Sequence, residues 1–378
     1  MLPLTATNHR GVLRNALKKH KRLAPPSQAS NLSTALSALN DYLPYLLALD
    51  AGLSGKVVSG EEIDVALERE IQLEWRATLS ATLPGREPPR VKGRGLDYET
   101  SFVLSTLAYT STLLSRNQLH VLYAPTTPTP EQRTAAITTA TKYLLQANSI
   151  HTHLLTRSDQ TPPSATGPID ISASVQSGLA SLALAEATLL AVLKDDPYPA
   201  AVAQERNRND REWMIKAPEI PKVRAHLFAR LCLAAAEHAG MALAMLGASK
   251  KVDEALVRYV DDLRRVARGK ACRFLGTDAE LGGRTGDGIA WLRAGKKELG
   301  FLGSGEKDAE KGLKGLARFK KEWTEKREDR RIEKGAEWGG DAGRMEEGRV
   351  VEMLERKWVK MNDTVSPFSH DNLLVLYR

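Results

Sequence analysis

The chain has 378 residues, of which 42% are hydrophobic, and a formal net charge of +8 at pH 7. This apolar content is too high for a chain that is disordered throughout, and it is sufficient for one or two hydrophobic cores. The positive charge favours an acidic partner, but it does not separate nucleic acid, an anionic membrane and an acidic protein from an inert basic surface.

The N-terminal segment is basic, and no acidic residue precedes Asp41. It lacks the continuous apolar stretch of a secretory signal peptide. Its charge resembles that of a mitochondrial transit peptide, although it contains lysines as well as arginines and its helical pattern continues past them. We therefore expect a basic first helix, with an import signal as the alternative.

One short region departs from the helical pattern that dominates the chain. Apolar and polar residues alternate around Ile71, Leu73 and Trp75, which is typical of a strand. A loop rich in proline, glycine and arginine follows, with a second candidate strand at Arg90 to Lys92. The sequence predicts a small β-hairpin near residues 70–93, attached to a helical body.

Three later stretches carry apolar residues at steps of three and four, which is the spacing of one helix face. They contain Ile137, Ala140, Leu144, Ala147, His151 and Leu154; Val223, Leu227, Leu231, Ala234, Met241 and Met245; and Val252, Leu256, Tyr259, Leu263 and Val266. Proline-containing loops are expected at 124–130, 160–168 and 197–221. Long amphipathic helices in succession predict an all-α fold.

The most apolar stretch runs from Ile171 to Leu193 and contains one charged residue, Glu186. As a helix it is long enough to cross a bilayer, but Glu186 and several polar or small residues make insertion costly. A soluble helix that is buried on all sides is the preferred interpretation. Asp170 is expected to cap its N-terminus, and Lys194 to complement the helix dipole at the other end.

The sequence contains no evident arrangement of residues with catalytic or metal-binding spacing. His151 and His153 fall on different faces of a helix, and His226 and His238 are too far apart to share a metal ion. Cys232 lies in an apolar helix pattern and is interpreted as a core residue. The glycine-rich run GTDAELGGRTGDG lacks the lysine of a phosphate-binding loop and is interpreted as a loop before a helix. We predict no enzymatic activity, no cofactor, no metal and no nucleic-acid partner.

The segment from Glu306 to Gly348 is crowded with charges of both signs, while Leu313, Leu316 and Trp323 keep a helical spacing. One interpretation is a basic helix for a membrane or nucleic acid. The preferred interpretation is a solvated helix with opposite charges four residues apart. Its glycine-rich end, GAEWGGDAG, is expected to be mobile.

Five segments, in this order along the chain, resemble the BRO1 domain family. GLDYETSFVLSTLAYTSTLLSR resembles a family helix that begins with a glutamate, here Glu99, and DISASVQSGLASLALAEATLLAVLK resembles the family helix that begins with DIS. The others are VRAHLFARLCLAAAEHAGMAL, GDGIAWLRAGKKELGF and MNDTV. Glu186 stands where the family often has glutamine.

The resemblance implies the fold and the extent of the domain. We expect a curved, boomerang-like helical body with tetratricopeptide-like helix hairpins and the small β-hairpin. The domain is predicted to span residues 1–365, with the charged, partly mobile segment 303–348 inside it. Residues 366–378 are expected to form a short tail that is truncated relative to the family.

The resemblance also implies a function, because BRO1 domains bind the amphipathic C-terminal helix of the main filament-forming ESCRT-III subunit, Snf7/Vps32. DDPYP and KAPEIPKVRAHLFARL resemble the fungal members that act in ambient-pH signalling. We therefore expect a non-catalytic adaptor that links ESCRT-III to alkaline-pH signalling and to proteolytic activation of a transcription factor. Its partners, including other pH-signalling components, would recruit it from the cytoplasm to cortical plasma-membrane or endosomal sites. The alternative is a peripheral scaffold that binds anionic lipid.

By alignment with the family, the implied partner-helix site consists of Leu227, Leu231, Arg230, Ala191, Arg224 and Lys222. The two leucines are four residues apart and would act as apolar anchors, while the cations suit an acidic partner helix. Ala191 stands where the family has phenylalanine, which implies a shallower groove. Ordinary helix-packing core is the alternative interpretation of the two leucines.

Overall fold

The computed structural model describes residues 2–57, 60–80, 90–123, 128–158, 168–206, 222–249, 251–301 and 339–374. Its helices are α1 Leu2–Arg22, α2 Pro25–Leu53, α3 Leu96–His120, α4 Pro130–Ser158, α5 Ala173–Asp195, α6 Tyr198–Arg206, α7 Lys222–Gly247, α8 Glu254–Leu281, α9 Thr285–Glu298 and α10 Arg344–Leu374. Strands β1 Gln72–Arg76 and β2 Arg90–Arg94 form one antiparallel sheet. The prediction of an all-α fold with a small β-hairpin is confirmed.

The chain divides into two compact units, each assembled from segments that are distant in sequence. Unit 1 comprises Met1–Val121, Thr138–Leu184 and Met241–Val257, and unit 2 comprises Leu122–Ile137, Ala185–Gly240 and Arg258–Arg378. The division falls within helices α4, α5, α7 and α8, so each of these helices contributes residues to both units. The predicted extent of the domain, 1–365, stays a prediction.

Helices α1 and α2 begin unit 1, and the expected basic first helix is present. Leu13 of α1 and both Leu39 and Leu46 of α2 are fully buried in one apolar cluster with residues of β1 and α3. Proline at the first position of α2 favours helix initiation, because its fixed φ suits a helix and its missing N–H is not needed there. The α1–α2 hairpin is therefore anchored by side chains of one shared core.

The β-hairpin has the alternation that the sequence predicts. Leu73 and Trp75 of β1 are buried, whereas the residues between and before them are exposed, and Trp75 is paired with Val91 of β2. The N–H of Gly95 donates to the carbonyl of Ile71 at 3.0 Å and leads the chain into α3. The residues that join the two strands, 81–89, lie outside the described part of the chain.

The predicted apolar stripe of α4 is buried along its whole length. Its members are Ile137, Ala140, Leu144, Ala147, His151 and Leu154, each at most 3% exposed. In unit 1, the side-chain amide of Asn148 donates to the carbonyl of Ala180 at 2.8 Å and joins α4 to α5. Periodicity identified the inward face of this helix correctly.

Helix α5 contains the apolar stretch and packs closely against α7 in unit 1. A side chain on Gly178 would place its first carbon 2.9 Å from Leu246, so glycine permits this close approach. Helix α5 and residues Arg224–Gly247 of α7 are long and apolar enough to cross a membrane by length and composition. That is weak evidence of a span, because core helices of soluble proteins meet the same criteria, and more than half of the α5 window is buried.

The expected capping role of Asp170 was wrong. Asp170 lies in a single 3₁₀ turn before α5, and its carboxylate accepts hydrogen bonds from the backbone N–H groups of Thr78 and Leu79 at 2.8 and 2.9 Å. Both bonds go to one oxygen, Oδ1, and they tie the segment after β1 to the turn before α5, while the buried Oδ2 has no hydrogen-bond partner within the described part of the chain. Lys194 does lie in the last turn of α5, as expected.

Two predicted loops contain helix. Helix α6, Tyr198–Arg206, occupies the start of the predicted loop 197–221, because a proline in the first turn of a helix is tolerated. Helix α8 continues to Leu281 through the start of the glycine-rich run, which leaves a short turn before α9. In the charged segment, Leu313, Leu316 and Trp323 and the start of GAEWGGDAG lie outside the described residues.

Candidate functional site

Within unit 2, helix α7 buries a face of mostly small side chains. The buried residues are Ala225, Phe228, Ala229, Cys232, Ala235, Ala236 and Ala239. Small side chains let a helix approach its neighbours closely, so α7 is well packed without using its leucines on this face. Leu227 and Leu233 instead point outward and are 50% and 45% exposed. Leu227 is therefore not a core residue of the helix packing.

The second predicted anchor, Leu231, has a different environment from Leu227. Leu231 is partly buried and packs against the main apolar cluster of unit 2, which includes Phe228, Phe274 and Trp358. A change at Leu231 would therefore disturb the core as well as the surface. Of the two leucines, Leu227 offers the more accessible apolar contact.

Helices α5 and α7 run in opposite directions in unit 2. Asp195, the last residue of α5, pairs with Arg224 near the start of α7 at 3.7 Å. Leu189, earlier in α5, packs against a cluster of buried alanines from the middle of α7 and from α8. Because the two helices are antiparallel and Asp195 lies opposite Arg224, Ala191, one turn before Asp195, lies level with the second turn of α7, which contains Leu227. Both Ala191 and Leu227 are exposed.

The predicted cations differ in their availability. Arg230 is exposed, one turn from Leu227 on the outward side of α7. Arg224 is also exposed, but its charge is partly offset by Asp195. The side chain of Lys222 lies outside the described residues. We call Leu227, Arg230 and Ala191 together the Leu227 surface.

A buried ionic cluster holds the elements next to this surface. Arg273 of α8 donates to Glu347 of α10 at 2.6 Å and to Asp196 at 2.5 Å, and Lys270 reaches the second oxygen of Glu347 at 2.6 Å. Arg273, Asp196 and Glu347 are each at most 2% exposed. Burial alone would raise the pKa of Glu347, but the charges of Arg273 and Lys270 outweigh burial and lower it to about 2.

Asp196 connects this cluster to the end of α5. It directly follows Asp195, so the ion pair with Arg273 fixes the chain at the point where α5 ends. Arg133 of α4 donates to the carbonyls of Leu193 and Asp196 at 3.2 and 3.4 Å, which satisfies terminal helix acceptors. The spacing of charges in the sequence did not indicate this cluster, although Asp196 belongs to the DDPYP motif that resembles the family.

Unit 1 contains a comparable buried carboxylate, Glu99, near the start of α3. Glu99 accepts hydrogen bonds from Arg10 of α1 at 2.7 Å, Tyr42 of α2 at 3.1 Å and Trp75 of β1 at 2.6 Å. The first turn of a helix also favours a negative charge. Glu99 therefore joins four elements of unit 1, and the family match at this position has a structural explanation.

Two buried titratable side chains, His151 and Cys232, are held in their neutral forms. His151 forms a hydrogen bond with the side-chain oxygen of Gln176 at 2.6 Å, and burial lowers the pKa of His151 to about 4. Burial raises the pKa of the Cys232 thiol to about 12, which keeps it protonated. Among the described residues, no group of three or more His, Cys, Asp or Glu could hold a metal ion.

One shallow cavity of about 380 Å³ lies at the turn between α8 and α9. It is lined by Gly283, Arg284, Thr285, Gly286, Asp287, Met361 and Asn362. Its carboxylate, Asp287, is exposed and pairs with Arg284 at 3.4 Å. Among the described residues of this lining there is no histidine, lysine or cysteine that could serve as a base or nucleophile beside the carboxylate.

Glu186 has an unusual environment for a carboxylate. It is partly buried in unit 2, and the hydroxyl of Tyr259 donates a hydrogen bond to it. Burial raises the pKa of Glu186 to about 7, and the hydrogen bond opposes part of this change. Its protonation state therefore changes near neutral pH.

Comparison with known proteins gives one close relative and one informative structural neighbour. The chain is 49% identical over 399 aligned residues to the pH-response regulator protein palC of Emericella nidulans, covering 97% of this chain and 78% of the relative. It is similar to the BRO1 domain of ALIX in a complex with CHMP4C, with a TM-score of 0.52, 15% identity, and coverage of 88% of this chain and 72% of that chain. No protein-family model matches the chain.

Proposed function

We propose, since the chain belongs to the BRO1-domain family of PalC-like pH-response regulators, that it is a non-catalytic adaptor in ambient-pH signalling. In this role it binds the C-terminal helix of the main filament-forming ESCRT-III subunit, Snf7/Vps32. The extensive identity to a pH-response regulator supports the pathway. The shared fold with ALIX, whose BRO1 domain was solved with the ESCRT-III subunit CHMP4C, supports the class of partner.

The observation that carries this proposal is the Leu227 surface. An amphipathic helix binds to another protein through apolar anchors that fit between exposed side chains, with charges around them that fix its register. Leu227 supplies exposed apolar area, Ala191 on α5 adds a small exposed side chain at the same level, and Arg230 provides a cation for an acidic partner helix. Leu231, one turn further along α7, is partly buried and packs against the core of unit 2.

The small size of Ala191 limits the affinity. A short helix on a shallow surface is expected to bind in the micromolar range, about 8 kcal/mol. Arg230 contributes mainly to the rate of association, because exposed charges steer the encounter, whereas the apolar contact determines the rate of dissociation. Binding should therefore be reversible, as an adaptor of a dynamic polymer requires.

The same adaptor would act where its partner polymer assembles. We propose that Snf7/Vps32 recruits the protein from the cytoplasm to cortical plasma-membrane or endosomal sites, together with other pH-signalling components. Its output is the proteolytic activation of a transcription factor at alkaline pH. The protein contributes binding surfaces to this pathway and no chemical step.

A pair of variants on α7 tests the binding site. Leu227→Asp places a charge on the apolar contact and should weaken binding to a peptide of the Snf7/Vps32 C-terminal helix at least about tenfold. Leu233→Asp is the matched control, because Leu233 is similarly exposed on the same helix. At about 100° per residue, it lies about 120° around the helix from Leu227.

Fluorescence anisotropy with the labelled peptide measures both affinities, and circular dichroism checks that both variants are folded. The control should bind within about twofold of the unmodified protein. Equal binding by folded Leu227→Asp and Leu233→Asp would exclude the Leu227 surface as the site. Leu231→Asp is unsuitable alone, because Leu231 also packs against the core.

A further inference from the structure

Helix α1 leaves an outward side that no described residue covers. Ala6 and Leu13 are buried against unit 1, whereas Leu4 and Val12 are 68% and 56% exposed. Among the large apolar side chains of the described residues, Leu4 is the most exposed and Val12 is third, just after Val57 at 57%. At about 100° per residue, Leu4 lies on the opposite side of α1 from Ala6 and Leu13, and Val12 lies on the flank, about 100° from Leu13.

The C-terminal half of α1 carries exposed basic side chains. Arg14, Lys18, Lys19 and Arg22 are exposed and make no ion pair within the described part of the chain. Helix α1 contains no acidic residue, and α2 has none before Asp41. Arg10 differs, because it turns inward to Glu99. The positive charge of this side is therefore not neutralised locally.

Helical geometry brings the apolar and basic groups together. At about 100° per residue, Leu4, Lys18 and Arg22 lie within about 40° of one another around the helix axis. Val12 and Lys19 lie on the adjoining part of the same half. We call Leu4, Val12, Lys18, Lys19 and Arg22 the α1 outward face.

We propose that the α1 outward face lies on the surface of an anionic membrane. A helix in the membrane interface inserts its apolar side chains at the boundary of the acyl chains and places its cations among anionic headgroups. Each lysine or arginine near such a surface contributes about fivefold to binding, and the effect decreases over a Debye length. The face supplies both kinds of contact on one helix.

Nucleic acid fits this face less well than lipid does. Single-stranded nucleic acid is usually held by aromatic side chains that stack on bases as well as by cations. Helix α1 has no Phe, Tyr or Trp, and the ring of His9 stacks on Tyr45 within unit 1. The exposed leucine and valine have no role in phosphate binding, but they suit the acyl boundary.

This contact is separate from the Leu227 surface and goes beyond the proposed adaptor function. It would let the protein bind the membrane directly while the Leu227 surface binds its partner helix. Two weak contacts on one molecule can give strong combined binding without either being strong. Membrane binding should therefore be measurable with the purified full chain and without any partner.

The test is vesicle flotation of the full chain with phosphatidylcholine vesicles that contain or lack phosphatidylserine. We expect binding only with phosphatidylserine, and less binding as salt is added. The triple variant Lys18→Gln, Lys19→Gln, Arg22→Gln should lose at least about tenfold in binding. The variant Lys251→Gln, Lys297→Gln, Lys357→Gln removes the same charge from exposed positions elsewhere and should bind normally.

The apolar contribution has its own variant, Leu4→Ser with Val12→Ser, which should weaken binding several-fold at constant charge. Circular dichroism establishes that each variant is folded. Equal flotation of the α1 triple variant and its charge-matched control would overturn the proposal. It would also be overturned if the α1 triple variant lost binding to a single-stranded RNA oligonucleotide but kept its binding to vesicles.

Discussion

Glu186 receives a hydrogen bond from Tyr259 in a partly buried site, and burial raises its pKa from 4.5 to about 7. The folded protein therefore holds this proton to a higher pH than the unfolded chain does. The contribution to stability is complete below pH 4.5 and is lost as the pH rises through 7, at a cost of at most about 3 kcal/mol.

We predict that Glu186→Gln removes this loss. Glutamine has nearly the same shape and does not ionise, and it is the residue that the family often has at this position. Urea unfolding should show a variant that gains stability relative to the unmodified protein between about pH 5 and about pH 8. A difference between the two proteins that stays constant with pH would contradict the burial of this carboxylate.

Glu347 has the opposite dependence on pH. Because Arg273 and Lys270 lower its pKa to about 2, its contribution to stability is present above pH 4.5 and is lost as the pH falls towards 2. The sequence identified neither this cluster nor the bonds to Glu99, since their partners are distant along the chain. Charged residues in a sequence are usually exposed, and only the fold identifies those that are buried.

Element boundaries and helix faces were predictable to different degrees. Alternation around Trp75 identified β1, and the stripe on α4 identified a face that is fully buried. The residues of the stripe that contains Leu227 also lie on one face of α7, but that face is partly exposed. Periodicity locates an apolar face. When the opposite face is rich in alanine, as on α7, periodicity does not determine which of the two faces is buried.

At the scale of the α5–α7 pair, Ala191 should limit binding. We predict that Ala191→Phe, which restores the residue of the family, tightens binding to the Snf7/Vps32 peptide by about threefold to tenfold, because it adds exposed apolar area on α5 at the level of Leu227. Isothermal titration calorimetry measures the change. Ala290→Phe on α9 is the control for non-specific adhesion, since Ala290 is also exposed.

An unchanged or weaker affinity in Ala191→Phe would indicate that the partner helix does not contact α5. A similar gain in Ala290→Phe would attribute the effect to added apolar surface alone. Either result would leave Leu227 without its neighbour on α5 and would require a different position for the partner helix.

For the whole molecule, the order of short motifs was more informative than any single motif. Five segments spread along the chain indicated the BRO1 family, and the fold and the PalC relative agree with that assignment. The sequence did not indicate that the chain forms two compact units, because each unit combines segments that are distant in sequence. Such an arrangement depends on packing between helices, which local periodicity does not encode.

The central claim is that the Leu227 surface connects an ESCRT-III subunit to pH signalling. It is tested by replacing PalC of Emericella nidulans with this chain and measuring proteolytic processing of the pH-responsive transcription factor after a shift to alkaline medium. We expect processing with the unmodified chain and with Leu233→Asp, and a strong reduction with Leu227→Asp at equal protein abundance. Equal processing with both variants would contradict the account.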